Sequence, residues 1–146
     1  MKELDDITGA IIVASINIHK ELGPGLLESV YEIVLARELE RRRFQVERQK
    51  PISFEYDGLF FEEGFRVDLL VEGRVVVELK SVENLAPVHS KQLLTYLRLM
   101  HLPVGLLINF NAATLREGLH RVVNKLPASE SPYLRVNRPS ESKTEV

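Results

Sequence analysis

The 146-residue chain contains no cysteine, and its formal net charge is only −2. The lack of cysteine excludes a disulfide framework and Cys-ligated zinc, and it is typical of the reducing cytoplasm, where we expect this protein. No apolar run approaches the roughly 20 residues that a membrane-spanning helix needs, so we expect no membrane partner. With so little net charge, binding of a nucleic acid requires a local basic patch.

Two apolar stripes with helical spacing predict two helices at the start of the chain. The first covers 5–22, with Asp5 or Asp6 as its cap, and Gly23-Pro24-Gly25 ends it. The second runs from about 26 to 42.

Extended segments follow. Residues 44–56 read as a strand, and Asp57-Gly58 is a strong hairpin signal. Residues 59–71 predict the second strand, with a bulge near Gly64, and 74–80 predict the third.

The rest of the domain returns to helices and one apolar strand. Pro87 suits the first turn of a helix over roughly 87–101. The continuous apolar run 103–110 predicts a strand buried on both faces, hence central and parallel. Thr114 and Glu117 form a capping box for a last helix over 115–126.

The predicted order α-α-β-β-β-α-β-α defines an α/β fold, a mixed central sheet with helices on its faces. We predict one domain over 1–126 and a mobile tail, rich in serine and proline, over 127–146.

The stretch FRVDLLVEGRVVVELK at 65–80 is mostly apolar, yet Asp68, Glu78 and Lys80 lie within it. Side chains alternate along a strand, so Glu78 and Lys80 share one face. A two-residue turn at 72–73 would put Asp68 and Glu78 on opposite faces, whereas a three-residue connection pairs them. We predict the longer connection, because Gly73 permits it.

Two adjacent, partly buried carboxylates repel each other, and a hard divalent cation relieves that repulsion. Mg²⁺ takes one or two carboxylates, with water and substrate phosphate as its other ligands. The carbonyl of Leu79 could add a ligand, and Lys80 could hold a water or a phosphate oxygen. The competing interpretation is a structural ion pair of Glu78 with Lys80 or Arg66 at a sheet edge.

Four polar residues on the predicted helices could support such a site. Gln92 and Tyr96 are spaced i, i+4 and share a helix face. Glu28 lies in the first turn of the second helix, where the helix dipole alone also favours an acid. His89, one turn before Gln92, could reach a phosphate, although a surface role is the commoner one.

Taken together, these elements resemble the PD-(D/E)XK nuclease superfamily and its restriction-endonuclease-like core, over roughly residues 7–124. The segment GLLESVY at 25–31 matches the signature of the small GxxExxY family, and Gln92-xxx-Tyr96 resembles the Q-x-x-x-Y motif of RecB-like exonucleases. The Pro that names the superfamily is replaced by Val67.

The resemblance implies Mg²⁺ or Mn²⁺ bound by Asp68 and Glu78, with Glu28 as a further acid and Lys80 orienting the attacking water. Gln92 and Tyr96 would support the site and the DNA backbone. Basic residues of the segment 37–50 are candidate contacts to nucleic acid, DNA rather than RNA; they are Arg41, Arg42, Arg43 and Lys50.

The leading hypothesis is therefore a metal-dependent deoxyribonuclease. The alternatives are a non-catalytic nuclease-fold module that binds nucleic acid or a protein, and an unrelated α/β interaction domain with a solvated charge cluster. A homodimer is the oligomer that general frequency favours.

Overall fold

The computed structural model describes residues 2–125 and 134–135 and confirms the α/β class. Its elements follow one another as α1 Leu4–Leu22, α2 Glu28–Arg41, β1 Val46–Tyr56, β2 Leu59–Val71, β3 Val75–Lys80, α3 Pro87–Met100, β4 Val104–Asn109, α4 Leu115–Gly118, β5 Leu119–Val123 and β6 Leu134–Arg135.

The strands form one mixed sheet in the order β5-β4-β3-β2-β1-β6. β3 and β4 are parallel and the other neighbours are antiparallel. The buried side chains of the strands contribute to two apolar layers, one on each face of the sheet. Helices α1 and α2 cover one face, and α3 covers the other. All six residues of β4 are buried, as expected for a strand that both helical layers cover. The strand β3, which carries Glu78 and Lys80, is one of the inner strands of the sheet.

The hairpin between β1 and β2 follows the sequence prediction. Asp57 and Gly58 form its two-residue turn, and both have positive φ, 51° and 79°. The predicted bulge near Gly64 is also present, because the register shifts between Ile52 and Phe54. A Cβ on Gly64 would lie only 2.1 Å from the ring of Phe54, so only glycine leaves room for that ring.

The connection between β2 and β3 decides the geometry of the charged residues. Val71 pairs with Val75, so three residues connect the strands, as predicted. Glu72 and Gly73 take left-handed φ values of 55° and 64°. This register continues to place Asp68 opposite Glu78.

Two local predictions were wrong. The N-cap of α1 is Glu3, and it makes no side-chain capping bond. The last helix is a single turn, which Thr114 caps by accepting the N–H of Glu117, and the chain then pairs with β4 as β5. Gly118 permits this switch from helix to strand. A Cβ there would lie 2.3 Å from the carbonyl oxygen of Asn109, so a glycine is needed where the chain packs against β4 and joins its edge.

Two further predictions concern the C-terminal tail and membrane-spanning helices. The predicted tail over 127–146 lies outside the described residues, except for 134–135, which pair with the end of β1. Within the described part of the chain, no helix has the length and apolarity to cross a bilayer.

Candidate active site

Asp68 and Glu78 hold each other's strands through their side chains. The backbone N–H of Asp68 donates to Oε2 of Glu78 at 2.9 Å, and the N–H of Leu79 donates to Oδ2 of Asp68 at 2.8 Å. The regular pairing of β2 with β3 ends one residue earlier, at Leu69 and Val77. The two carboxylates therefore replace the sheet ladder at the point where the strands part. By alternation along β3, Glu78 lies on the face of Val76, which α3 covers.

Burial makes this pair electrostatically unfavourable. The residue Glu78 is only 6% exposed, and burial raises the pKa of its carboxyl to about 8, with the charge of Asp68 adding to the shift. Burial also raises the pKa of Asp68, against the N–H of Leu79, which lowers it. A divalent cation bound here would favour the ionised form of both carboxyl groups and offset this cost.

Lys80 supplies positive potential without being neutralised by a close partner. Its charge lowers the pKa of both Asp68 and Glu78, yet no ion pair within the described residues includes it. Arg66, the other partner considered for Glu78, pairs with Glu63. The structural ion pair that competed with the metal-site interpretation does not form.

Helix α3 brings Tyr96 against this pair. The Tyr96 ring stacks on Phe65, with centroids 4.2 Å apart. Burial raises the pKa of the Tyr96 hydroxyl, and the charges of Glu78 and Asp68 raise it further. Gln92 lies one turn earlier on α3 and is exposed. His89 serves the helix instead, since its Nδ1 accepts the N–H of Ala86 at 3.0 Å.

We predicted Glu28 as a further acid beside this pair, but its carboxylate binds the backbone after β3. Its Oε2 accepts the N–H of Ser81 at 3.3 Å, so it holds the chain just after β3. Within the described residues, no group of three or more His, Asp or Glu is arranged to hold a metal ion. Leu79 meets the site through its N–H, and a role for its carbonyl stays a prediction.

A different acid of α2, Glu32, lies nearer to the pair. Its charge raises the pKa of both Asp68 and Glu78. The side chain is 8% exposed, and it accepts hydrogen bonds from Nε of Arg48 at 3.0 Å and Nε2 of Gln49 at 2.8 Å. Sequence reasoning missed these three residues, although Glu32 follows Glu28 by four positions and so lies on the same helix face.

The tyrosine of GLLESVY anchors the loop before α2. Tyr31 is fully buried and stacks on Phe110, and its hydroxyl donates to the carbonyl of Gly23 at 2.5 Å and accepts the N–H of Leu26 at 3.2 Å. The hydroxyl of Ser81 donates to the carbonyl of Leu26 at 2.7 Å. The start of α2 is thus tied to the end of β3.

An open cavity of about 520 Å³ lies at this junction of α2 and β3. Its lining is Gly25, Leu26, Leu27, Glu28, Ser29, Ser81 and Asn111. Asn109, buried at the end of β4, exchanges hydrogen bonds with the N–H and the carbonyl of Val82 at 3.1 and 2.9 Å. These bonds hold the backbone directly after Ser81, one of the lining residues.

The predicted basic contacts divide into two groups. Arg41 and Arg42 pair with Glu38 near the end of α2, and Arg43 follows them. That end lies about 20 Å from Glu28 along the helix, at 1.5 Å per residue. Lys50, by contrast, is next to Gln49 on β1 and pairs with Glu47 at 3.0 Å. Lys50 pairs with Val67 in the β1–β2 ladder, one residue before Asp68.

The donor set suits a hard divalent cation. Mg²⁺ commonly binds through only one or two protein carboxylates and keeps several waters, so Asp68 and Glu78 suffice without a third acid. Burial raises the pKa of both carboxyl groups, so ionising them together is unfavourable unless a cation lies beside them. Asp68 and Glu78 would hold the ion, and Lys80 would lie beside it.

The comparisons with known proteins agree with this geometry. A family model described as the PD-(D/E)XK nuclease superfamily matches residues 5–122. The chain belongs to this superfamily, and the restriction-endonuclease-like fold is the one predicted from the sequence. No curated protein and no solved structure matches the chain.

Proposed function

We propose that the protein is a divalent-metal-dependent nuclease that hydrolyses phosphodiester bonds in DNA, with Mg²⁺ or Mn²⁺ as its cofactor. The observation that supports this most is the contact between half-buried Asp68 and buried Glu78, beside a Lys80 that makes no ion pair with any described residue, in a chain of a nuclease superfamily. The narrower resemblance to GxxExxY proteins, through GLLESVY, belongs to the same proposal, as does a cytoplasmic location.

Each residue has a role that its position allows. Asp68 and Glu78 would bind the cation, which when bound stabilises negative charge on the phosphoryl group and favours ionisation of water. Lys80 would orient the attacking water or a phosphate oxygen. Tyr96, whose hydroxyl pKa is raised by burial and by the charges of both carboxylates, and Gln92 would contact the DNA backbone.

Nucleic acid would approach over the basic residues. Lys50, which pairs with Val67 next to Asp68, would contact the nucleic-acid backbone at the site, and Arg41, Arg42 and Arg43 would contact it beyond the end of α2. Contacts of this kind set affinity and its dependence on salt, and they carry little sequence preference.

The test is cleavage of single- and double-stranded DNA, and of RNA, with Mg²⁺, Mn²⁺ or EDTA. We expect metal-dependent cleavage of DNA that falls at least about 100-fold in Asp68→Ala, Glu78→Ala and Lys80→Ala, because each removes a group that acts on the reacting phosphate. Glu63→Ala, an exposed acid on β2, is the control and should cleave like the parent.

Two results would overturn the proposal. Cleavage that survives all three substitutions belongs to another site or another protein. DNA binding without cleavage in the parent, under every metal condition, would favour the non-catalytic module.

A further inference from the structure

Gln49 has an unusual backbone for the middle of a strand. Its φ is +49°, in the left-handed region that residues other than glycine rarely adopt. In a regular strand, Arg48 and Gln49 would project to opposite faces, yet both side chains reach the carboxylate of Glu32. Backbone strain of this kind persists where the surrounding contacts impose it, and it is concentrated at functional sites.

The amide of Gln49 bridges two carboxylates. Its Nε2 donates to Oε1 of Glu32 at 2.8 Å and to Oδ1 of Asp68 at 3.3 Å. An amide nitrogen carries two hydrogens, one for each acceptor. Ionised carboxylates only accept hydrogen bonds, so the NH₂ end of the amide has to face them. Glu32 is held in turn by Arg48 and by its burial.

This bridge completes the orientation of Asp68. One carboxylate oxygen accepts the N–H of Leu79 and the other accepts the amide of Gln49. Each oxygen has room for about two hydrogen bonds or ligands, so one position on each stays available. A carboxylate held at both oxygens cannot rotate freely, and its remaining lone pairs point in fixed directions.

We propose that Gln49 is a positioning residue, which Glu32 and Arg48 hold so that it orients Asp68 for binding a divalent cation. This inference rests on the proposed function of the site. Residues that orient a metal ligand from behind commonly change metal affinity by about 10- to 100-fold when they are replaced. A purely structural link between β1 and α2 would change stability and leave metal affinity unaltered.

The test uses Gln49→Leu and Gln49→Gly, with Gln45→Leu as the matched control because Gln45 is exposed just before β1. Calorimetric titration of each protein with Mn²⁺, without DNA, measures affinity; urea unfolding measures stability. We expect both Gln49 variants to bind Mn²⁺ at least about 10-fold more weakly than the parent and Gln45→Leu to match it. Gln49→Gly should unfold at a higher urea concentration than Gln49→Leu, since glycine tolerates the left-handed backbone.

Cleavage assays add a second readout. We expect the Gln49 variants to need more Mn²⁺ for half-maximal rate and to recover most of the rate at saturating Mn²⁺. Variants that bind Mn²⁺ as tightly as the parent would overturn this inference alone. A parent that binds no Mn²⁺ would overturn the proposed function together with it.

Discussion

Replacing Glu78 by glutamine should stabilise the metal-free protein. Glu78 is buried beside Asp68, and its pKa is raised from the ordinary 4.5 to about 8. Between these values the folded protein retains a proton that the unfolded chain has lost, so stability is highest below pH 4.5 and falls as the pH rises toward 8. Glutamine has the same shape, stays neutral and can still accept the N–H of Asp68.

The size of the effect follows from the shift. At about 1.4 kcal/mol per pH unit, keeping Glu78 protonated in the fold costs about 3 kcal/mol of stability at pH 7, and the loss levels off at about 5 kcal/mol above pH 8. For a domain of this size, 3 kcal/mol corresponds to a rise in Tm of roughly 10 °C. Below pH 4.5 the parent and Glu78→Gln should be equally stable, because both side chains are then neutral.

Urea unfolding in EDTA at pH 4, 6, 7 and 8 measures this difference. Glu63→Gln, at an exposed acid paired with Arg66, is the control, and we expect it to change stability by less than about 1 kcal/mol at every pH. Mg²⁺ should stabilise the parent and have little effect on Glu78→Gln. A difference between parent and variant that does not grow with pH would refute the reasoning, since burial of the charge requires that growth.

Three further substitutions test other parts of the site and fold. Tyr96→Phe keeps the ring stack on Phe65, so we expect unchanged stability. We expect kcat to fall about 10-fold, as for loss of a hydrogen bond to a charged group, and an unaltered kcat would contradict a role for the hydroxyl. Tyr31→Phe leaves two backbone groups of the preceding loop without their partner and should lower stability to urea by about 1–3 kcal/mol, which an unchanged urea midpoint would contradict. Gly118→Ala places a Cβ 2.3 Å from a carbonyl oxygen of β4 and should lower stability by roughly 1–3 kcal/mol. The control Gly9→Ala has open space at its Cβ and should be neutral or stabilising. Equal effects of the two substitutions would contradict the close approach at Gly118.

Local patterns determined much of this protein directly from the sequence. Hydrophobic periodicity located the two N-terminal helices, and Asp57-Gly58 located the hairpin turn because few residues tolerate two successive positive φ values. The three-residue connection at 72–74 then followed from one glycine, and with it the pairing of Asp68 with Glu78. These features depend on backbone conformation over a few residues, which the residue types there restrict.

Other features depended on contacts between distant segments. The segment 119–123 is a strand because β4 offers an unpaired edge and Gly118 allows a close approach to it, and neither condition is visible in its own residues. Glu28 is the acid of the GLLESVY motif, but it binds the backbone after β3. Glu32, one turn later, is the acid of α2 whose charge raises the pKa of both Asp68 and Glu78.

The sequence by itself therefore determined the fold class, the register of the acidic pair and the superfamily. The tertiary structure decided which further side chains converge on that pair. Gln49 shows the physical reason: its amide meets Asp68 and Glu32 only because a left-handed residue turns β1 locally, and that conformation is imposed by partners 17 and 19 residues away in the chain.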